Sequence, residues 1–346
     1  MGFTNRLKLT IFEHEKEDLI PRYKESKKQE NFRFNIVKRF FKKYFIYILC
    51  LSIIILCLYK NLIKTNKYAL DDSTLNKLDK IIHEYYENST IPKIEDHLII
   101  VAGHGIGKTI NKIPIEVNDW NIQPFQREEI NTFLTHILTG ILIAKYNKNS
   151  TLIFSGGQTQ NRAGPMTEGQ SYWFIANSMK WLDIENIKER ATSEEFAKDS
   201  YENLIFSICR YHEFTGKYPK FITLISYPYK QYRFFNLHRK AIKYPENKFQ
   251  FVGITYDLID EDNSSKIFPE KITEMPDNLP DFEVKHSINN FKKDPFGCEG
   301  VLKQKKIDRN PFNRNNPYSN SCPELKGILE YCLNNKLTNE IQWDEI

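Results

Sequence analysis

Residues Thr151-Leu-Ile-Phe-Ser155 form an apolar, β-prone run that stops at Gly156-Gly157. A run this short, apolar throughout and closed by paired glycines reads as a strand buried on both faces, followed by a tight turn. Strands of that kind belong to parallel sheets covered by helices, where ligands sit beyond the carboxyl ends of the strands. Two further runs repeat the pattern: Ile99-Ile-Val-Ala-Gly103-His104-Gly105 and Ile222-Thr-Leu-Ile-Ser226. Three strand ends made of small or polar residues imply one shared crevice; three tight turns without a ligand is the alternative.

The rest of the chain supports that fold. Ile130, Phe133, Leu134, Ile137, Leu138, Ile141 and Leu142 recur at helical spacing. Strands are predicted near 97–102, 151–155, 221–226 and 249–253, and helices near 126–146, 168–181, 198–215 and 229–243. Strict alternation of strand and helix predicts an α/β domain with a Rossmann-like, doubly wound, mostly parallel sheet over residues 93–255. Beyond residue 255 periodicity fades and Pro, Asn and Asp become frequent. Residues 256–346 therefore read as a loop-rich C-terminal extension packed on the domain.

Residues 44–59 carry no charged side chain and are bounded by Lys42-Lys43 and Lys60. This predicts an N-terminal transmembrane helix over 44–60, short for a hydrocarbon core of about 30 Å, with Tyr44, Tyr47 and Tyr59 at the interfaces. Residues 1–43 hold twelve Lys/Arg and six Asp/Glu, so the remainder of a chain of net charge +5 is close to neutral. A near-neutral main domain speaks against a nucleic-acid partner. The same bias places the basic tail, 1–43, in the cytosol and makes the protein type II, with residues 61–92 a stalk. Sequons at Asn88, Asn149 and Asn263 agree with a glycoprotein of the secretory pathway, in the ER or Golgi. Of the six cysteines, Cys50 and Cys57 lie in the apolar run, Cys209 reads as a buried thiol, and Cys298 is expected to pair with Cys322. Their spacing suggests no zinc site.

Two polar clusters carry the candidate chemistry. Asp199 or Ser200 can cap the helix that follows Glu194, and Glu202 and Asn203 add more polar groups than a cap needs. Lys230 and Arg233 follow the strand ending at Ser226; three residues apart on a helix, they share a face that suits an anion such as phosphate. Glu194 and Glu202 are the candidate catalytic acids and bases. Gly103, His104, Gly105, Ser155, Gly156, Gly157, Glu168, Ser200, Asn203, Ser226, Lys230 and Arg233 are the candidate ligand-binding residues.

Taken together these segments resemble the SanA, YdcF and ElyC-like group, the domain of unknown function 218. Ser155-Gly156-Gly157 and Glu168 match its first motif. Glu194, Ser200, Glu202 and Asn203 match its second, with Ala197 in place of the usual Ser. Ser226 and Arg233 match its third, with Lys230 where the group has His. Asp294-Pro-Phe-Gly-Cys298 and Arg309-Asn-Pro-Phe-Asn-Arg314 are similar to the membrane-tethered fungal branch. The resemblance implies a Rossmann-like fold, a membrane tether, and a nucleotide, S-adenosylmethionine or lipid-carrier ligand. The expected function is to bind a small anionic, nucleotide-like or phosphorylated ligand, with or without catalysis; no cofactor is identified. Two alternatives remain at this stage: a type II glycosyltransferase using Asp260-Glu-Asp262, or a non-catalytic membrane scaffold.

Overall fold

The computed structural model describes residues 38–39, 42–45, 47–56, 71–89, 94–259, 264–272, 274–334 and 341–343. Five parallel strands form the main sheet: β1 (His97–Ala102), β4 (Ser150–Ser155), β5 (Ala191–Glu194), β6 (Phe221–Ser226) and β7 (Phe249–Gly253). β2 (Ile106–Gly107) and β3 (Trp120–Asn121) make a separate antiparallel pair. In the main sheet the order is β5-β4-β1-β6-β7. From β1 the chain steps outward through β4 to β5, then returns to β6 and steps outward on the other side to β7. The reversal leaves a crevice between the carboxyl ends of β1 and β6.

Every side chain of β1, β4 and β6 is buried, the burial a two-sided cover demands. Ile99 and Val101 pack on one face against α2 (Ile130–Tyr146) and α3 (Glu168–Ser178). Leu98 and Ile100 pack on the other against α4 (Ser200–Thr215). α2 is apolar nearly all round because both its sides are covered. Its outer side meets α1 (Asp72–Glu87), whose Leu78, Ile81, Ile82 and Tyr86 enter the same core. Lys145 of α2 pairs with Asp79 of α1 at 2.7 Å. Residues 72–87 are thus no free stalk: their apolar stripe at i, i+3, i+4 is part of the domain, and the rest of 61–92 is described only in part.

Three further expectations need correction. α3 ends at Ser178, not 181, because Lys180–Asp183 turns left-handed, with φ of 52° to 58°. The helix expected over 229–243 is a 3-10 turn (Pro228–Lys230), a π-helical stretch (Arg233–His238) and one α turn (Arg239–Ala241). β5 was not expected at all; it is four residues long, at the sheet edge, and offers no apolar run to read.

The C-terminal segment packs on the α4 side through Leu302, Tyr318, Leu325, Ile328 and Trp343. Two disulfides hold it, Cys298–Cys332 and Cys209–Cys322, with Cα separations of 4.9 and 5.4 Å. The expected Cys298–Cys322 pair is not formed, and Cys209 is not a thiol. Tyr318 packs tilted against Phe206 of α4, at 5.1 Å between rings, and His212 meets the carbonyl of Ser321 at 2.9 Å, so the chain delivers Cys322 to Cys209.

In the N-terminal unit, residues 47–56 are helical with exposed apolar side chains, among them Ile48, Ile54 and Leu56. Among the described residues no helix is long and apolar enough to cross a membrane. Positions 46 and 57–60 of the proposed span, most of the basic tail, and Asp260–Asp262 with the Asn263 sequon lie outside the described residues.

Candidate functional site

Register aligns Ser155 with Ala102 on one side and with Glu194 on the other, so the ends of β1, β4 and β5 meet at one level. Gly156 has φ of +154°, and a Cβ there would come within 2.6 Å of the Glu168 Cβ. At Gly103 the same Cβ would lie 2.7 Å away. These glycines exist to let Glu168, first residue of α3, sit against two strand ends. Their backbone donors are committed: Gly103 N–H to Ser155 O at 2.7 Å, Gly156 N–H to Glu194 O at 3.0 Å, Gly157 N–H to Ala197 O at 2.7 Å. The His104 N–H donates to the Tyr172 hydroxyl oxygen at 3.2 Å, and Gly105 packs against Ile122. The Ser-Gly-Gly turn is a packing device, and its Gly156 and Gly157 N–H groups are not presented to a ligand.

Beside it lies a closed polar knot. The Ser155 hydroxyl donates to Glu194 Oε2 at 2.7 Å, and Asn203 Nδ2 donates to the Ser155 Oγ at 2.9 Å. Glu194 Oε1 accepts from the backbone of Phe196 and Ala197 at 2.7 and 3.1 Å and from the Tyr318 hydroxyl at 3.3 Å. Ser155 and Glu194 are fully buried. Desolvation pushes the Glu194 carboxyl up to about 7, with its hydrogen bonds opposing. Glu202, also buried, accepts from Lys198 N–H at 2.8 Å and pairs with Lys306 at 3.3 Å; Lys306 also reaches Asp199 at 3.4 Å. Burial raises Glu202, and the Lys306 ammonium opposes that. Asp199, not Ser200, caps α4 through the Glu202 N–H. The Ser200 hydroxyl instead meets His238 Nε2 at 2.8 Å, leaving the buried His238 Nδ1 without a partner. Both candidate catalytic carboxylates are therefore enclosed and engaged by the protein itself.

The crevice between β1 and β6 is different. His104 lies 3.3 Å from Ser226 Oγ through Nε2 and 3.2 Å from Lys230 Nζ through Nδ1. The ammonium can only donate, so Nδ1 accepts and Nε2 carries the proton. Desolvation first, then Lys230, His136 and Arg233, hold His104 well below its usual range, so it is neutral. Lys230 also lies over the rings of Tyr227 and Tyr229, at 5.0 and 5.8 Å. Among the described residues it has no carboxylate partner. Desolvation and the Arg233 charge lower it to about 7. Arg233, expected to share its face, is instead taken up by Glu283 in an ion pair at 3.2 Å whose angle falls short of a hydrogen bond. Glu168, partly exposed, accepts from the Thr159 hydroxyl at 2.6 Å, and burial raises its carboxyl.

The sequence gives no sign of Glu283, Lys306 or Tyr318 as partners of this region; all three come from the segment where periodicity is lost. Arg309 was visible only as the first residue of the Arg309–Arg314 motif. Among the described residues no group of His, Cys, Asp and Glu could hold a metal ion.

The uncharacterized protein YOR238W of Saccharomyces cerevisiae is 31% identical over 269 residues, which takes in 64% of this chain and 86% of the yeast protein. This chain belongs to the family of that yeast protein. No protein-family model and no solved structure matches it.

Proposed function

We propose that the crevice between β1 and β6 binds a small phosphorylated ligand, nucleotide-like in size, in a Rossmann-like, doubly wound domain. One observation carries the reading: Lys230 is a half-buried ammonium that, among the described residues, has no carboxylate in ion-pair contact. A cation in that position costs free energy until an anion arrives. Ser226 and His104 orient it, and Arg233 is excluded from first contact by Glu283. If the site is catalytic, Glu168 is the acid or base, since it is the raised carboxyl beside the crevice with an exposed edge. The resemblance to the SanA, YdcF and ElyC-like group supports the same place in the fold. Titrating the full-length protein with inorganic phosphate by calorimetry tests it. The parent should bind, and Lys230→Met should weaken binding tenfold or more; equal affinity defeats the reading.

The membrane tether belongs to the same proposal. Residues 44–60 insert in the bilayer as a single pass, the tail is cytosolic, and the domain lies in the lumen of the ER or Golgi. Support comes from exposed apolar side chains on every side of 47–56, and from two disulfides, which suit an oxidising compartment. Asn88 and Asn149 are exposed and available to glycosylation. Endoglycosidase treatment should raise gel mobility. No shift, together with protease access to the domain in sealed microsomes, rules the topology out.

A further inference from the structure

The C-terminal segment brings two more cations to the crevice, on α5 (Gly300–Asp308) and the residue that ends it. Arg309 Nη1 donates to the Lys198 carbonyl at 3.0 Å. The neighbouring carbonyl, Ala197 O, receives Gly157 N–H, and Gly157 O receives the N–H of Glu168. Arg309 is thus fastened two links from the carboxylate at the edge of the crevice. That bond uses one of five guanidinium donors, and the side chain is exposed. Lys305 Nζ donates to the His286 carbonyl at 2.7 Å, three residues beyond Glu283, the partner of Arg233. Neither Lys305 nor Arg309 has a carboxylate partner among the described residues.

The crevice therefore has two walls. The β6 side offers Lys230; the α5 side offers Lys305 and Arg309. Against these three cations stand Glu168 and Glu129, the latter accepting from the hydroxyl of the Tyr227 ring beneath Lys230; Glu283 is spent on Arg233. The imbalance is felt across the gap: Arg309 helps lower Lys230, and Arg309 and Arg233 help lower Lys305, each after desolvation. With one positive charge in excess and a cation on each wall, the crevice fits a ligand that presents an anion to each wall.

We infer that Lys305 and Arg309 form a second anion subsite opposite Lys230, and that the ligand class is a diphosphate bridging the two walls. This rests on the reading of the Lys230 crevice as an anion site. Arg309 is the stronger half, since a guanidinium fork meets two phosphate oxygens at once. The extension is then part of the binding machinery, and the two disulfides hold one wall of the site in place.

The test compares inorganic phosphate with inorganic pyrophosphate on the full-length protein by calorimetry, in the parent, Arg309→Ala, Lys305→Met and Lys230→Met. Circular dichroism and melting temperature confirm that each variant folds. Pyrophosphate should bind the parent at least tenfold tighter than phosphate. Arg309→Ala should erase that preference by cutting pyrophosphate affinity at least tenfold more than phosphate affinity; Lys305→Met should reduce the preference in part. Lys230→Met should weaken both ligands. If Arg309→Ala keeps the full preference while Lys230→Met loses both ligands, the second subsite is wrong and the first stands. If Lys230→Met changes neither ligand, the crevice reading itself falls, and this inference with it. ADP and a short-chain isoprenyl diphosphate in micelles are the further arms. Retention of one and not the other fixes whether the diphosphate is carried on a nucleoside or a lipid, and failure of both to match pyrophosphate overturns the bridging ligand.

Discussion

The knot around Glu194 and the crevice around Lys230 are built from the same materials and stand in opposite states. In the knot each polar atom of Ser155 and Glu194 meets a donor or acceptor, and water is shut out. In the crevice an ammonium faces a neutral imidazole and two tyrosine rings. The difference teaches how to tell support from site. Buried polar groups that satisfy one another hold a fold; a desolvated charge that the protein leaves uncompensated is a demand for something else.

The comparison breaks most readily on stability. Removing Glu194 strands the Ser155 hydroxyl and the N–H groups of Phe196 and Ala197. Glu194→Ala is expected to cost about 3–5 kcal/mol, the range for opening a buried charged network. Lys230→Met removes a charge that no carboxylate pairs with directly among the described residues, and should leave stability within about 1 kcal/mol of the parent or raise it. Urea midpoints decide. Equal losses in the two variants would mean that the crevice is as much a structural element as the knot.

The disulfides separate the regions next. Cys209–Cys322 lies behind the knot, four residues from Tyr318. Cys298–Cys332 brackets α5 and its Lys305 and Arg309. Replacing either pair by serine should cost about 2–4 kcal/mol, as a lost cross-link does. The pair at 298 and 332 should also lower pyrophosphate affinity, whereas the pair at 209 and 322 should leave it near the parent value. Equal effects on binding would join what the comparison separates.

Much of this frame was legible before any coordinates. β1, β4, β6 and β7 stand where their apolar runs predicted, since a strand buried on both faces has a pattern few other elements share. In the sequence Ser155 reads as part of the strand-end crevice, and Glu194 and Asn203 as a separate helix-start cluster; the structure joins the three in one knot. What the sequence could not convey is whether such groups satisfy one another. Glu194 and Lys230 are both polar residues near strand ends; their opposite standing depends on Tyr318, which donates to Glu194, and on Glu283, which takes up Arg233 beside Lys230, both in a segment without periodicity. β5 and the Cys209–Cys322 link were missed for the same reason: each is made by packing against a distant partner rather than by a local pattern.

A smaller effect sharpens the comparison on the side of the knot. Glu194 titrates near 7 in the folded chain and near 4.5 when unfolded. Between those values the folded state holds more protons, so stability is greatest below the lower one and falls as pH rises toward about 7. Glu194→Gln keeps the shape and one acceptor without the charge. Its stability should lose about 2 kcal/mol of that decline, read from urea midpoints at pH 5 and pH 8. An unchanged slope would place the titrating group elsewhere.

The last effect is on the side of the crevice, and its sign is different in kind. Lys230 is lowered to about 7 in the unliganded protein. Below that value the ammonium is present and attracts an anion; above it the proton is lost and so is the attraction. Affinity should therefore fall as pH rises through 7, approaching about tenfold, or about 1.4 kcal/mol, for each further unit. Because the anion binds the protonated form, binding near pH 8 should draw a proton from the buffer. Sulfate is the probe, because its charge is constant from pH 6 to 9 and cannot mimic the trend. Lys230→Arg holds its charge throughout and should flatten the profile. A parent profile that is flat, or that rises with pH, would mean that the crevice cation is fully charged at every pH tested; Lys230 would then have a counter-charge of its own, and the distinction between the open region and the closed one would disappear.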